Sequence, residues 1–122
     1  MSDMKILLVD DEQEFTLTLA ERLELRGYEV LTASSGEEAL QVLEDNLPQI
    51  VVLDLKMPGL SGIEVLKRIK AQYPKLQVLL LTGYGSTQEG IKGMQLGAYD
   101  YLLKPLNIDT LISKINEALK AQ

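Results

Sequence analysis

Two kinds of segment alternate along the chain. Short apolar runs rich in branched side chains, KILLV (5–9), YEVLT (28–32), QIVVL (49–53), QVLLL (77–81) and YDYLL (99–103), have the length and continuity of β-strands. Four of them are continuous enough to be buried on both faces, the habit of strands in a parallel sheet. Between the runs, apolar residues return at helical spacing. Gly62, Val65, Leu66 and Ile69 form one such stripe, and Ile108, Leu111, Ile112, Ile115 and Leu119 another.

Boundary residues agree with this division. Ser35 to Glu38, Ser61 to Glu64 and Ser86 to Glu89 have the S-x-x-E spacing of a capping box, in which side chains satisfy the free amides of a helix start. Gly27 and Gly97 stand where helices should stop, because glycine alone turns left-handed there without strain. Five strands alternating with five helices predict an α/β domain with a parallel sheet, right-handed crossovers and helices on both faces. The fourth helix, roughly 87–96, is expected to be weak. It carries Gly90 and Gly93, each costing about 1 kcal/mol relative to alanine. Those glycines suit either close packing on a neighbour or an element that moves.

Composition narrows the chemistry. The 122 residues suit one domain spanning 1–122, and the 46% hydrophobic and 25% charged residues are the balance of a globular chain. No apolar run approaches the length of a membrane span, so no membrane association is expected. The opening MSDMKILLVD lacks the basic flank and longer apolar core of a signal peptide, which makes the cytoplasm the expected location. With no Cys and no His, thiolate, zinc and imidazole chemistry are excluded. A net charge of -6 gives no footprint for direct nucleic-acid binding.

What remains is carboxylates, hydroxyls and amines, and four strands end in them. ILLV runs into Asp10 and Asp11, IVVL into Asp54, VLLL into Thr82 and YLL into Lys104. Taken singly each is ordinary, and Asp11 to Glu14 has the spacing of a helix cap. In a parallel sheet, however, all carboxyl ends share one edge, where open α/β folds bind ligands. Two like charges about 4 Å apart repel by roughly 4 kcal/mol at an effective dielectric of 20, and one lysine does not offset three carboxylates. A hard divalent cation with oxygen ligands, Mg²⁺ or Mn²⁺, would. Beside such an ion, an amine and a hydroxyl, Asp54 fits phosphoryl transfer through an acyl phosphate.

At these residues the chain resembles the receiver domain of bacterial two-component response regulators, over essentially all of its length. The motifs are VDDE (9–12), LDLKMPGLSG (53–62), LTG (81–83) and GAYDYLLKP (97–105), in this order and spacing. The resemblance implies a flavodoxin-like, doubly wound five-stranded parallel sheet of order 2-1-3-4-5 with five helices. It implies that Asp54 is the phosphoacceptor, served by a histidine kinase or histidine phosphotransfer protein. Asp11 would be the main metal ligand, Asp10 would act through water, and the Lys56 carbonyl would complete the set with Asp54. Thr82 and Lys104 would hold phosphoryl oxygens, Tyr101 would be the switch aromatic, and the Lys104–Pro105 bond would be cis. Signalling to a downstream protein or output domain would pass through the fourth helix, fifth strand and fifth helix. Gly83 departs from the alanine that many members carry there. By the same resemblance, Lys56 and Tyr84 would occupy the positions that tune phosphoryl lifetime. Neither is a carboxylate or amide suited to positioning water, which implies slow autodephosphorylation.

Two other classes compete. A phosphatase of the haloacid dehalogenase type also uses a nucleophilic Asp and Mg²⁺, but it usually carries an acid two residues later, where this chain has Lys56. A flavodoxin-like nucleotide or flavin binder would need a phosphate loop. GYGSTQ has Gln88 where the third glycine belongs, and Asp10, Asp11 and Glu12 would repel a flavin phosphate.

Overall fold

The computed structural model describes residues 4–83 and 87–121. Strands and helices alternate throughout: β1 (Lys5–Val9), α1 (Gln13–Leu25), β2 (Glu29–Ala33), α2 (Gly36–Asp45), β3 (Ile50–Asp54), α3 (Gly62–Gln72), β4 (Gln77–Thr82), α4 (Thr87–Gln95), β5 (Asp100–Leu103) and α5 (Ile108–Lys120). All strand pairs are parallel, in the order β2-β1-β3-β4-β5. This is the five-stranded, doubly wound arrangement expected from the motifs.

Alternation of side chains along each strand divides the core into two layers. Leu7, Val9, Val51, Leu53, Val78 and Leu80 pack with α2 and α3 on one face. Ile6, Leu8, Ile50, Val52, Leu79 and Leu81 pack with α1 and α5 on the other. Each fully buried leucine or isoleucine contributes about 1.5–3 kcal/mol of apolar transfer. Three strands, not the expected four, are buried throughout or nearly so: β1 beyond Lys5, β3 and β4. Strands β2 and β5 are only half-buried because they form the edges, where no neighbour covers the second side.

Two of the expected capping boxes form at their serine. Ser35 accepts from the Glu38 amide and Ser61 from the Glu64 amide, at 3.1 and 3.2 Å. Glu38 reaches back one residue farther than the motif requires, accepting from both the amide and the hydroxyl of Ser34. Those bonds hold its carboxyl below the usual range. The third box includes Ser86, outside the described residues. Asp11 caps nothing: Glu12 is the N-cap of α1 and makes no side-chain capping bond. Helices α1 and α4 both stop as expected, at Gly27 (φ 94°) and Gly97 (φ 110°). The amides of Gly27 and Tyr28 bond back to Glu24 and Leu23, and those of Gly97 and Ala98 to Met94 and Gly93, the paired bonds of a Schellman stop.

Close backbone approach fixes the loop after β3. The Gly62 amide donates to Leu55 O at 3.2 Å. A Cβ on Gly62 would lie 2.5 Å from the Asp54 carbonyl oxygen, so α3 starts directly against the end of β3. A Cβ on Gly36 would lie 2.9 Å from Leu60 O. The loop is therefore seated on α2 and on α3. Helix α4 follows the same logic. Gly90 faces the Tyr101 ring, with a Cβ there 2.9 Å from the nearest ring carbon, and a Cβ on Gly93 would collide with Leu80. Both glycines are close-packing positions.

Candidate functional site

Strands β1 and β3 are neighbours in register, Val9 opposite Leu53, so the next residues, Asp10 and Asp54, emerge side by side at the carboxyl edge. Among the described residues, Asp10, Asp11 and Asp54 each offer a carboxylate oxygen, all within 4.8 Å of one another. Asp10 and Asp54 are buried, while Asp11 is exposed. Asp54 Oδ1 accepts from the Lys56 amide at 3.3 Å, and Asp10 Oδ1 from the Glu12 amide at 2.9 Å. Burial, followed by the negative charge of Asp10, pushes the Asp54 carboxyl up to about 6, although Lys104 and the Lys56 amide pull the other way.

Lys104 directly follows β5 and precedes a cis peptide bond to Pro105. Its amide donates to Thr82 O at 2.7 Å, which ties the ends of β4 and β5 together. Its Nζ lies 2.8 Å from Asp10 Oδ2, 2.8 Å from Glu12 Oε1 and 3.8 Å from Asp54 Oδ2. The Phe15 ring centroid is 4.7 Å from the same atom. Burial draws the ammonium pKa down, but the hydrogen bonds to Asp10 and Glu12 outweigh it and the net shift is upward.

Thr82 continues the inward row of Val78 and Leu80 and is fully buried. Among the described residues its Oγ1 has no hydrogen-bond partner, a condition that costs about 1–3 kcal/mol for a buried hydroxyl. Tyr101, opposite Leu80 in the sheet, is half-buried with its ring against Gly90 of α4. The Lys56 side chain is exposed. Tyr84 lies outside the described residues.

The structure thus gathers Asp10, Asp11, Asp54 and Lys104 at one edge, with Thr82 at the end of the neighbouring strand. Sequence reasoning missed two participants, Glu12 and Phe15, both of which hold Lys104. The signal was present in the last letter of VDDE and in an aromatic one helical turn beyond Asp11. Nothing in the sequence, however, shows which acid a lysine 92 positions beyond Glu12 will choose.

A buried acidic edge of this construction, at the carboxyl ends of a sheet of this order, defines a doubly wound α/β domain with its candidate site where such folds bind ligands. The response regulator receiver domain family matches residues 6–116, and the chain belongs to that family. It is 42% identical over 116 residues to the transcriptional regulatory protein CpxR of Escherichia coli, covering 95% of this chain and 49% of that one. It is 40% identical over 116 residues to the alkaline phosphatase synthesis transcriptional regulatory protein PhoP of Bacillus subtilis, covering 95% and 48%. The chain therefore spans about half the length of these curated relatives. Among solved structures, a response regulator receiver domain protein from Clostridium thermocellum superposes with a TM-score of 0.92 at 40% identity, covering 96% of this chain and 94% of that one. The receiver domain of NtrX from Brucella abortus gives 0.92 at 35%, covering 96% and 99%. No helix among the described residues is long and apolar enough to cross a membrane.

Proposed function

We propose that this receiver domain takes one phosphoryl group onto Asp54 from a phosphohistidine of a histidine kinase or phosphotransfer protein. It then signals through α4, β5 and α5 to a downstream protein or output domain. The observation that carries this reading is the buried hydroxyl of Thr82, which has no partner among the described residues, at the carboxyl edge beside the Asp54 strand. A hydroxyl left in that state is stabilised by a ligand that brings an acceptor to it.

The donor set fits a hard divalent cation: three carboxylates and no nitrogen or sulfur ligand. Asp10, Asp11, Asp54 and the Lys56 carbonyl would hold Mg²⁺, with Mn²⁺ an acceptable substitute, and the ion would supply positive charge against the acids and an incoming phosphoryl group. The rest falls to the chain. Asp54, ionised at pH 7 with its carboxyl near 6, directs a lone pair at phosphorus. The phosphorus–nitrogen bond of the donor breaks, its electron pair returns to the imidazole, and an acyl phosphate results. Lys104 and Thr82 donate to the phosphoryl oxygens. The domain is thus a phosphoacceptor that assists its own phosphorylation, and not a turnover enzyme.

Two further roles follow from the same reading. Thr82 moves toward the phosphoryl group and Tyr101 fills the space it leaves, which alters the surface where Ile91, Met94 and Leu103 are exposed apolar residues. Lys56 and Tyr84 supply no group that activates water, so the acyl phosphate decays slowly. Intact-mass measurement after incubation with a small acyl phosphate and Mg²⁺ tests the proposal. One phosphoryl group is expected on the parent, removed by hydroxylamine, and none on Asp54→Asn. Full labelling of Asp54→Asn would overturn it.

A further inference from the structure

Lys104 is held away from the carboxylate it flanks. Its Nζ makes 2.8 Å contacts to Asp10 and to Glu12 and sits near the Phe15 ring, whereas Asp54 Oδ2, at 3.8 Å, lies past hydrogen-bond reach. An ammonium has three N–H bonds. Two go to the carboxylates, and the ring provides a further attraction.

The two acid contacts differ in kind. Asp10 is buried, belongs to the acidic trio and is also held by the Glu12 amide. The Glu12 side chain is 64% exposed and stands outside the trio. Although Glu12 is the N-cap of α1, its carboxylate makes no capping bond, so the helix does not need it. Its pairing with Lys104 holds its own carboxyl below the usual range.

We propose that Glu12 is a positioning residue: a competing anion that holds Lys104 off Asp54 until a phosphoryl group on Asp54 draws the lysine away. This rests on the reading of Asp54 as phosphoacceptor. A phosphoryl group offers Lys104 more negative charge than the single, solvent-screened carboxylate of Glu12. Molecules in which Lys104 sits on Glu12 are not competent to grip it, so the apparent affinity for a phosphoryl group falls by the competent fraction. Removing the competing charge while keeping the side-chain shape should raise that affinity three- to fivefold, equivalent to about 0.7–1 kcal/mol.

The test titrates the Mg²⁺-loaded protein with beryllofluoride, a non-transferable phosphoryl mimic, in the parent, Glu12→Gln, Lys104→Met and the double variant. Glu12→Gln should bind three- to fivefold tighter than the parent, and the same change should have no effect in the Lys104→Met background. Unchanged or weaker binding by Glu12→Gln would overturn the proposal. Equal tightening in the Lys104→Met background would also overturn it, because the effect would then be bulk charge and not competition for the lysine. A readout without metal or mimic is the Lys104 ammonium resonance, which should shift in Glu12→Gln and whose constancy would count against the contact. A parent that takes neither mimic nor phosphoryl group overturns the phosphoacceptor reading itself. A parent that takes both, with an inert Glu12→Gln, overturns the positioning role alone.

Discussion

The two flanks of Asp54 are finished to different degrees. On one side Lys104 is bonded to Asp10 and Glu12 and backed by Phe15. On the other, Thr82 is fully buried and its hydroxyl bonds to none of the described residues. The lysine flank is stable without a ligand, whereas the threonine flank carries an uncompensated desolvation cost. On the phosphoacceptor reading proposed above, a group bound at Asp54 would have to pull the first flank apart and complete the second. A site of that kind would favour a ligand that reaches both donors.

Removing the charge between the flanks should have the largest effect on the protein itself. The Asp54 carboxyl stands near 6 in the fold against an ordinary 3.8, so the folded state favours the protonated form. Stability contributed by that form is present below about 4 and is lost as pH rises to about 6, then levels off. At about 1.4 kcal/mol per pH unit, metal-free Asp54→Asn should exceed the parent by about 2–3 kcal/mol at pH 7.5. The difference should vanish near pH 4. Urea denaturation of both proteins across that range measures it, and a gap independent of pH would show that the buried charge is not its source.

A smaller effect probes the packing behind the threonine flank. Helix propensity says that Gly93→Ala should stabilise α4 by about 1 kcal/mol. The new methyl, however, would meet the buried Leu80 side chain, two residues before Thr82. We expect net destabilisation of about 1–2 kcal/mol, in the range of core overpacking, and a thermal melt that rises would refute it. Smallest is Thr82→Val, which replaces the orphaned hydroxyl with a methyl of similar size. It should leave the unliganded protein equally stable or up to about 1 kcal/mol more so, while weakening beryllofluoride binding. A loss of stability without ligand would mean that the hydroxyl has a partner after all.

These expectations also mark where sequence reading stops. Strand and helix order was legible because KILLV, QIVVL and QVLLL are buried runs whose pattern tertiary context does not contradict. The edges were less legible, since β2 and β5 have apolar runs too and only the strand order decides which sides are covered. The acids and Lys104 were legible as strand tips converging on one edge. The state of each was not. That Lys104 chooses Glu12 over Asp54, and that Thr82 has no partner among the described residues, depend on angstrom-scale differences that spacing along a chain does not encode. Gly90 and Gly93 show the same limit: composition marks them as weak helix formers, and only the Tyr101 and Leu80 contacts reveal why a larger residue does not fit.

The glycine-clamped loop after β3 has a consequence for how such a domain diversifies. Gly36 and Gly62 fix the loop by backbone contact with Leu60, Asp54 and Leu55, while Lys56 projects outward from it. Position 56 is thus a dial mounted on a fixed frame. Its side chain can be exchanged without disturbing the carboxylate two residues before it, and with the lifetime role proposed for position 56 the duration of a signal would be open to change under selection while the fold is conserved.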